Sequence, residues 1–346
     1  MSVAVPLEAP SPKDYASDQE VRWCPGCGDY AILKAVERTL AEVRAVPEKT
    51  VFVSGIGCAA RFPYYLATYG FHGIHGRAPA IATGIKLANP DLDVWVVCGD
   101  GDGLSIGGNH LLHALRRNVD LQILLFNNEI YGLTKGQYSP TSRRGTRSPS
   151  TPMGSLESPV SAAAFALGSG ARFVARSVDT LQQHLPAVLK RAYANRGASF
   201  VEIFQNCIVY NDGVFGAFTE RSVAADAQIH VEHGAPLIFG RERDKGLRLK
   251  PGALELEVVH LGEDGITEAD VLVHDEANRG LAAMLAALEP PTHPVALGVL
   301  YCDPAPSYDR QVAERVADAV TRAAEGGAQG DLNALLRGGH TWRVED

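Results

Sequence analysis

Apolar and polar positions follow two rhythms along roughly the first 200 residues of the chain, and together they predict an α/β fold. In 29–43, DYAILKAVERTLAEV, the residues Ile32, Leu33, Val36, Leu40 and Val43 recur at helical intervals and mark one buried helical face. VFVSG (51–55) is instead an unbroken apolar run closed by glycine, the pattern of a short strand covered on both sides. Small residues at helical spacing between Pro79 and Pro90 predict a closely packed helix over 75–90. VWVVCGD (94–100) and LQILLFNN (121–128) predict two more buried strands, joined through a helix built on Leu111, Leu112, Leu115 and Val119. Such a βαβ crossover makes the strands parallel and brings both carboxyl ends to one sheet edge, where open α/β sheets bind ligands. Helices are expected over 161–171 and 181–194, and a strand over 198–204.

Tyr138–Pro159 is too rich in Ser, Thr, Pro, Gly and Arg for a regular element and is long enough for a functional loop. Beyond about residue 218 short strands such as LELEVVHL (254–261) alternate with charged turns, and a last helix is expected over Tyr308–Ala324. The expected organisation is an N-terminal arm (1–20), a main domain (21–218) with a mostly parallel sheet flanked by helices, and a small α+β C-terminal extension (219–346).

Composition narrows the function. A chain of 346 residues that is 46% hydrophobic and 21% charged can bury a large core and is not a disordered segment. The formal net charge of −8 argues against general affinity for nucleic acid. The first twenty residues lack the pattern of a secretory signal, and no run approaches the ~18 apolar residues of a membrane span, so the chain reads as cytoplasmic, with no membrane partner. In that compartment six cysteines, at 24, 27, 58, 98, 207 and 302, point to metal or redox chemistry rather than disulfides.

Asp100 in CGDGDG and Asn128 in FNNEIYG close the two neighbouring strands and would place two oxygen ligands side by side. Magnesium takes such ligands together with a backbone carbonyl, here that of Ile130, and keeps places for phosphate oxygens. Gly99, Gly101 and Gly103 would let the backbone approach a diphosphate, and a helix start at Leu104–Asn109 would favour its charge. Either half alone could be only a tight turn or a strand end; jointly they ask for a magnesium diphosphate.

GDG, about 25 residues and then NN is similar to the thiamine-diphosphate motif. The surrounding segments WCPGCGDYAIL, GIGC, HGRAPAIATGIK, GDGDGLSIGGNHLLHALRRN, NNEIYGLTKGQYSPTS and QNCIVYND resemble one branch, the beta subunits of 2-oxoacid:ferredoxin oxidoreductases. The resemblance is dense over about 20–218. In the tail, PLIFGRERDKG and ITEADVLVHDE are similar to the 2-oxoglutarate members. It implies a thiamine-diphosphate-binding fold and a CoA-dependent oxidative decarboxylation of a 2-oxoacid to acyl-CoA and CO2. For 2-oxoglutarate the product would be succinyl-CoA; pyruvate or branched 2-oxoacids are the alternatives. Electrons would pass to ferredoxin through a [4Fe-4S] cluster held by Cys24, Cys27, Cys58 and Cys207. It also extends the cofactor site to Gly57, Cys58, His75, Asp102, Gly132, Leu133 and Thr134, and gives Lys135 and Arg61 to the 2-oxoacid. The position of Arg61 is commonly Lys in relatives.

Competing readings remain for several of these residues. Four thiols suit a structural zinc as well, which would leave a non-redox thiamine enzyme subunit. WCPGC also resembles a thioredoxin dithiol, but no apolar strand precedes it. Cys98 sits mid-strand and reads as a small core hydrophobe, and Cys302 has no evident partner. His72, His75, His110 and His113 read chiefly as structural. Arg143, Arg144 and Arg147 form a basic cluster that could meet acidic ferredoxin or the phosphates of coenzyme A, or simply be solvated. No Glu stands where it could activate thiamine. In the resembling enzymes that carboxylate comes from an alpha subunit, so a heterodimer or a dimer of heterodimers is expected.

Overall fold

Thirteen strands and the helices between them are laid out in a computed structural model that describes residues 9–325, 332–339 and 342–344. The strands are β1 (Thr50–Ser54), β2 (Tyr69–His72), β3 (Asp93–Gly99), β4 (Gln122–Asn127), the small hairpin β5 (Ile130–Tyr131) and β6 (Gln137–Tyr138), β7 (Phe173–Val178), β8 (Ser199–Phe204), β9 (Gln228–Val231), β10 (Ile238–Phe239), β11 (Lys245–Leu249), β12 (Leu256–His260) and β13 (Val295–Cys302). Eight of them form the central sheet in the order β2-β1-β3-β4-β8-β7-β13-β9. Every pairing from β2 to β7 is parallel; β13 runs antiparallel to β7, and β9 is parallel to β13.

The near-continuous apolar strands are explained by burial on both faces. Side chains alternate with period two: Val94, Val96 and Cys98 of β3 and Ile123 and Leu125 of β4 enter one core, while Trp95, Val97, Leu124 and Phe126 enter the other. The first core is closed by α2 (Ala78–Ala88), α3 (Gly108–Arg117), α4 (Ala162–Gly168) and α8 (Arg279–Ala286). The second is closed by α1 (Asp29–Glu42) and α5 (His184–Ala194), and its aromatic heart stacks Phe52 on Trp95 with ring centroids 5.5 Å apart. Short helical turns α6 (Gly216–Thr219) and α7 (Ala224–Ala227) and the long α9 (Tyr308–Glu325) complete the described helices of the tail up to residue 325.

Three features differ from expectation. The helix after β3 does not begin at Leu104: the chain turns helical at Asp100 and passes through a wide π turn over Asp102–Ile106 before α3. Gly101 and Gly103 therefore lie within the first turns rather than ahead of them. Val119 falls outside α3, because Asn118 ends the helix in the left-handed conformation (φ 53°) and secures the exit by donating to Ala305 O at 3.0 Å. The segment beyond 218 is not set apart from the sheet, since it supplies β9 and β13 as well as the three-stranded sheet β10-β11-β12. Of the N-terminal arm, residues 1–8 lie outside the described residues; the rest packs on the core through Tyr15, which is 1% exposed and donates to Ala45 O at 2.6 Å. Among the described residues no helix is long and apolar enough to cross a membrane.

Candidate active site

Four adjacent parallel strands, β1, β3, β4 and β8, open at their carboxyl ends onto the loops that carry Cys58, Asp100, Asn128 and Cys207. The Cys24–Cys27 segment comes from elsewhere in the chain and is clasped between two of these loops. Trp23 Nε1 donates to Cys58 O (2.7 Å), Gly28 N to Asn206 O (3.1 Å) and Gln205 Nε2 to Cys27 Sγ (3.3 Å). A Cβ on Gly132 would stand 3.5 Å from Cys207 Sγ and 3.6 Å from Cys58 Sγ, so this glycine leaves the space between the two thiols free.

Burial pushes the Cys27 thiol far up and the Cys58 thiol up to about 12, and the nearby carboxylate of Asp29 adds to both. Asp29 is itself fully buried behind Cys27; burial pushes it up to about 7, against the pull of the Cys27 thiol. The positive charge of a bound metal would favour the thiolate form of both. Among the described residues no three His, Cys, Asp or Glu side chains lie close enough together to share one metal ion.

Beside the thiols is a cleft of about 130 Å³ bounded by the three strand-end loops Ile56–Ala59, Gly99–Asp102 and Asn128–Thr134 and by His75. It continues into a broader hollow along Ser105, Tyr138 and Ser139. Gly101 is obligatory here, since a Cβ would enter the ring of Tyr131. Asp100 is 2% exposed, and burial pushes its carboxyl up to about 6. Its Oδ2 accepts from Ser139 Oγ (2.5 Å) and Thr141 Oγ1 (2.6 Å), and no described Lys, Arg or His pairs with it. A buried carboxylate oriented by hydroxyls but lacking a counter-charge is what a divalent cation fits. Asn128 Oδ1 is held by Ile130 N at 3.2 Å, which curls the chain so that Asn128 and Ile130 line the same cleft.

The hydroxyl clasp gives an expected result. Thr141→Val should weaken divalent-cation binding about 10- to 100-fold, the usual effect of losing a ligand's supporting hydrogen bond, while Thr141→Ser keeps it. Titration with Mn²⁺ followed by electron paramagnetic resonance reads this directly; equal affinities would exclude the clasp.

Of the other expected residues, His75 lines the cleft and is fixed by Asp102, whose Oδ1 meets His75 Nδ1 at 2.5 Å and also accepts from Gly76 N and Ile56 N. Asp102 thus ties three loops together more than it faces the cleft. Gly57 adopts φ 134° with open space where a Cβ would project. Lys135 is exposed at the tip of the β5–β6 hairpin with φ 75°, just outside the cleft lined by Leu133 and Thr134. The Arg61 guanidinium donates to Tyr65 OH at 2.9 Å.

Several residues are not gathered in. Cys98 is buried in the core and Cys302 ends β13. His72 stacks on Tyr64, and His110 and His113 ride on α3. Arg143 is drawn to Glu129 (3.4 Å) and Val214 O, leaving Arg144 and Arg147 exposed. Sequence reasoning passed over Ser139, Thr141, Asp29 and Gln205 as site residues. All four lie inside or beside the quoted motifs, in YSPTS, CGD and QNC, which was the available signal.

Comparison with known proteins agrees with this geometry. Residues 55–203 match the family model described as "Thiamine pyrophosphate enzyme, C-terminal TPP binding domain". The chain is 50% identical over 337 residues to the 2-oxoglutarate oxidoreductase subunit KorB of Mycobacterium tuberculosis, covering 96% of this chain and 88% of that one. It is 48% identical over 190 residues to the 2-oxoacid:ferredoxin oxidoreductase 1 beta subunit of Aeropyrum pernix, 55% of this chain and 60% of the relative's length. Among solved structures, the 2-oxoglutarate:ferredoxin oxidoreductase of Magnetococcus marinus, with 2-oxoglutarate, coenzyme A and succinyl-CoA bound, superposes with a TM-score of 0.75 at 34% identity, covering 97% of this chain and 98% of that one.

Proposed function

The chain belongs to the beta subunits of the 2-oxoacid:ferredoxin oxidoreductases, and on that premise we propose that it forms half of an enzyme that oxidatively decarboxylates 2-oxoglutarate and delivers the acyl group to coenzyme A. The observation that carries this reading is the meeting of Asp100 and Asn128, at the ends of β3 and β4, with Cys24, Cys27, Cys58 and Cys207 around the same strand ends. Asp100, Asn128 and the Ile130 carbonyl would hold Mg²⁺, and Gly99, Gly101 and Gly103 leave room for a diphosphate. Thiamine diphosphate, when bound, supplies the carbanion that such a cleavage requires.

The four thiols would hold a [4Fe-4S] cluster that accepts electrons singly and passes them to ferredoxin. Supporting a cluster over zinc is the naming of relatives as ferredoxin oxidoreductases, since ferredoxin takes up single electrons and zinc has no redox chemistry. The beta-subunit names of its relatives support a partner subunit that contributes the activating carboxylate. The assembly this reading expects is a heterodimer or a dimer of heterodimers.

Lys135 would reach over the cleft rim to a substrate carboxylate. Lys135→Ala is expected to cost ~1.5 to 3 kcal/mol of transition-state binding, the worth of one charge-assisted hydrogen bond, read as kcat/KM; an unchanged value removes Lys135 from the site. Arg61, committed to Tyr65, should matter less. The test of the whole reading is anaerobic co-expression with the alpha subunit and assay of ferredoxin or viologen reduction with 2-oxoglutarate, pyruvate and branched 2-oxoacids. Brown, iron-containing protein that reduces the acceptor only with a 2-oxoacid and coenzyme A is expected. Colourless, zinc-containing protein would replace the reading with a non-redox thiamine enzyme.

A further inference from the structure

Gln205 stands between the two halves of the site. It follows β8, is 1% exposed, and its backbone N–H donates to Asn127 O at 2.8 Å. Its side-chain amide meets three groups: Asn128 Nδ2 donates to Gln205 Oε1 (2.8 Å), while Gln205 Nε2 donates to Asn206 O (2.6 Å) and to Cys27 Sγ (3.3 Å).

The direction of this chain is set by two backbone groups that each have one role. The Ile130 N–H can only donate, so Asn128 must present Oδ1 to it and turn Nδ2 toward Gln205. The Asn206 carbonyl can only accept, so Gln205 must present Nε2 there and Oε1 to Asn128. With either amide flipped, like groups would face each other. The remaining N–H of Gln205 is thereby aimed at the sulfur as a donor.

We propose, resting on the iron-sulfur reading above, that Gln205 is a positioning residue that raises the reduction potential of the cluster and couples it to occupancy of the cation site at Asn128. An N–H donor on a ligand sulfur stabilises the more negative, reduced cluster. At the other end a cation drawing on Asn128 makes its Nδ2–H a stronger donor. That polarises the Gln205 amide and strengthens its bond to sulfur, since linked hydrogen bonds reinforce one another in a low-dielectric interior. Filling the cation site would thus ready the cluster to accept an electron, and by reciprocity reduction of the cluster would tighten the cation site.

The test is a redox titration of the co-expressed complex, monitored by electron paramagnetic resonance, for the wild type, Gln205→Met and Gln205→Glu, each with and without Mg²⁺ and thiamine diphosphate. Both variants remove the donor; the first keeps the length and the second the shape. At full iron content both should shift the reduction equilibrium about tenfold toward the oxidised cluster, ~59 mV for a one-electron couple. The upward shift that Mg²⁺ and thiamine diphosphate cause in the wild type should shrink in both. Unchanged potentials in both variants would overturn the proposal. So would a fall confined to Gln205→Glu, which would be the effect of its added charge. Loss of iron from both variants in complexes of wild-type thermal stability would likewise overturn it, leaving Gln205 a scaffold for the thiols. A wild-type complex without iron would instead sink the cluster reading on which the proposal stands.

Discussion

Asp100→Ala is expected to strip the complex of its divalent cation and its thiamine diphosphate together while leaving iron content unchanged. Asp100 is the only carboxylate in the expected cation ligand set. Its burial leaves no water to substitute for it, and Ser139 and Thr141 orient one of its oxygens. Losing a ligand itself should exceed the 10- to 100-fold cost typical of losing its supporting contact, so a drop in cation affinity of more than about 100-fold is expected. The thiols are held by other contacts, through Trp23, Gly28 and Gln205, so the iron should stay. Because burial already disfavours the Asp100 charge, removing it should cost the metal-free fold little. Gel filtration followed by assay of bound thiamine diphosphate, magnesium and iron decides the matter. Retention of the diphosphate at wild-type level would take Asp100 out of the cation site.

The second large effect separates two cysteine contexts, one in a loop past a strand end and one in the core. Cys207→Ser should lose the cluster, whereas Cys98→Ser should keep it. Cys207 lies past the end of β8 with its sulfur beside Gly132, in the space that Cys58 also faces. A serine hydroxyl there is a poor ligand for iron and would leave three thiolates for four corners. Cys98 lies within β3, one residue before its end, fully buried among the core side chains, with Leu124 O 3.8 Å from its sulfur. A serine in its place buries a hydroxyl at a cost of about 1–3 kcal/mol in stability unless that carbonyl accepts from it. Iron and acid-labile sulfide per complex, with thermal unfolding as the control, would show full iron and lowered stability for Cys98→Ser and the loss of iron for Cys207→Ser. Equal loss in both would undo the ligand assignment.

The strands and helices nearest the cofactor cleft were legible from pattern because their residues are buried on both faces, so β1, β3, β4 and β8 read as apolar runs. Other elements were not. β2 is exposed along its whole length and carries no apolar run, and β13 looked like part of a separate tail because its partner β7 lies more than a hundred residues earlier. The helix start was misplaced for a local reason: glycines that usually precede a helix here sit inside its first turns, Gly101 making room for Tyr131 and Gly103 lying in the wide turn that follows.

By itself the sequence determined that Asp100 and Asn128 meet at one edge, since they close adjacent parallel strands and the crossover rule places their loops together. Family resemblance supplied four of the six cysteines as a set. Only the tertiary structure decided what joins those parts. The donors to Asp100 come from 39 and 41 residues away, the clasp on Cys27 from 178, and the Gln205 amide linking Asn128 to Cys27 is correctly oriented only because Ile130 N fixes the Asn128 amide and Asn206 O accepts from Gln205 Nε2. Hydrogen-bond direction and long-range contact have no sequence period; they are settled when the strand ends are brought to one edge.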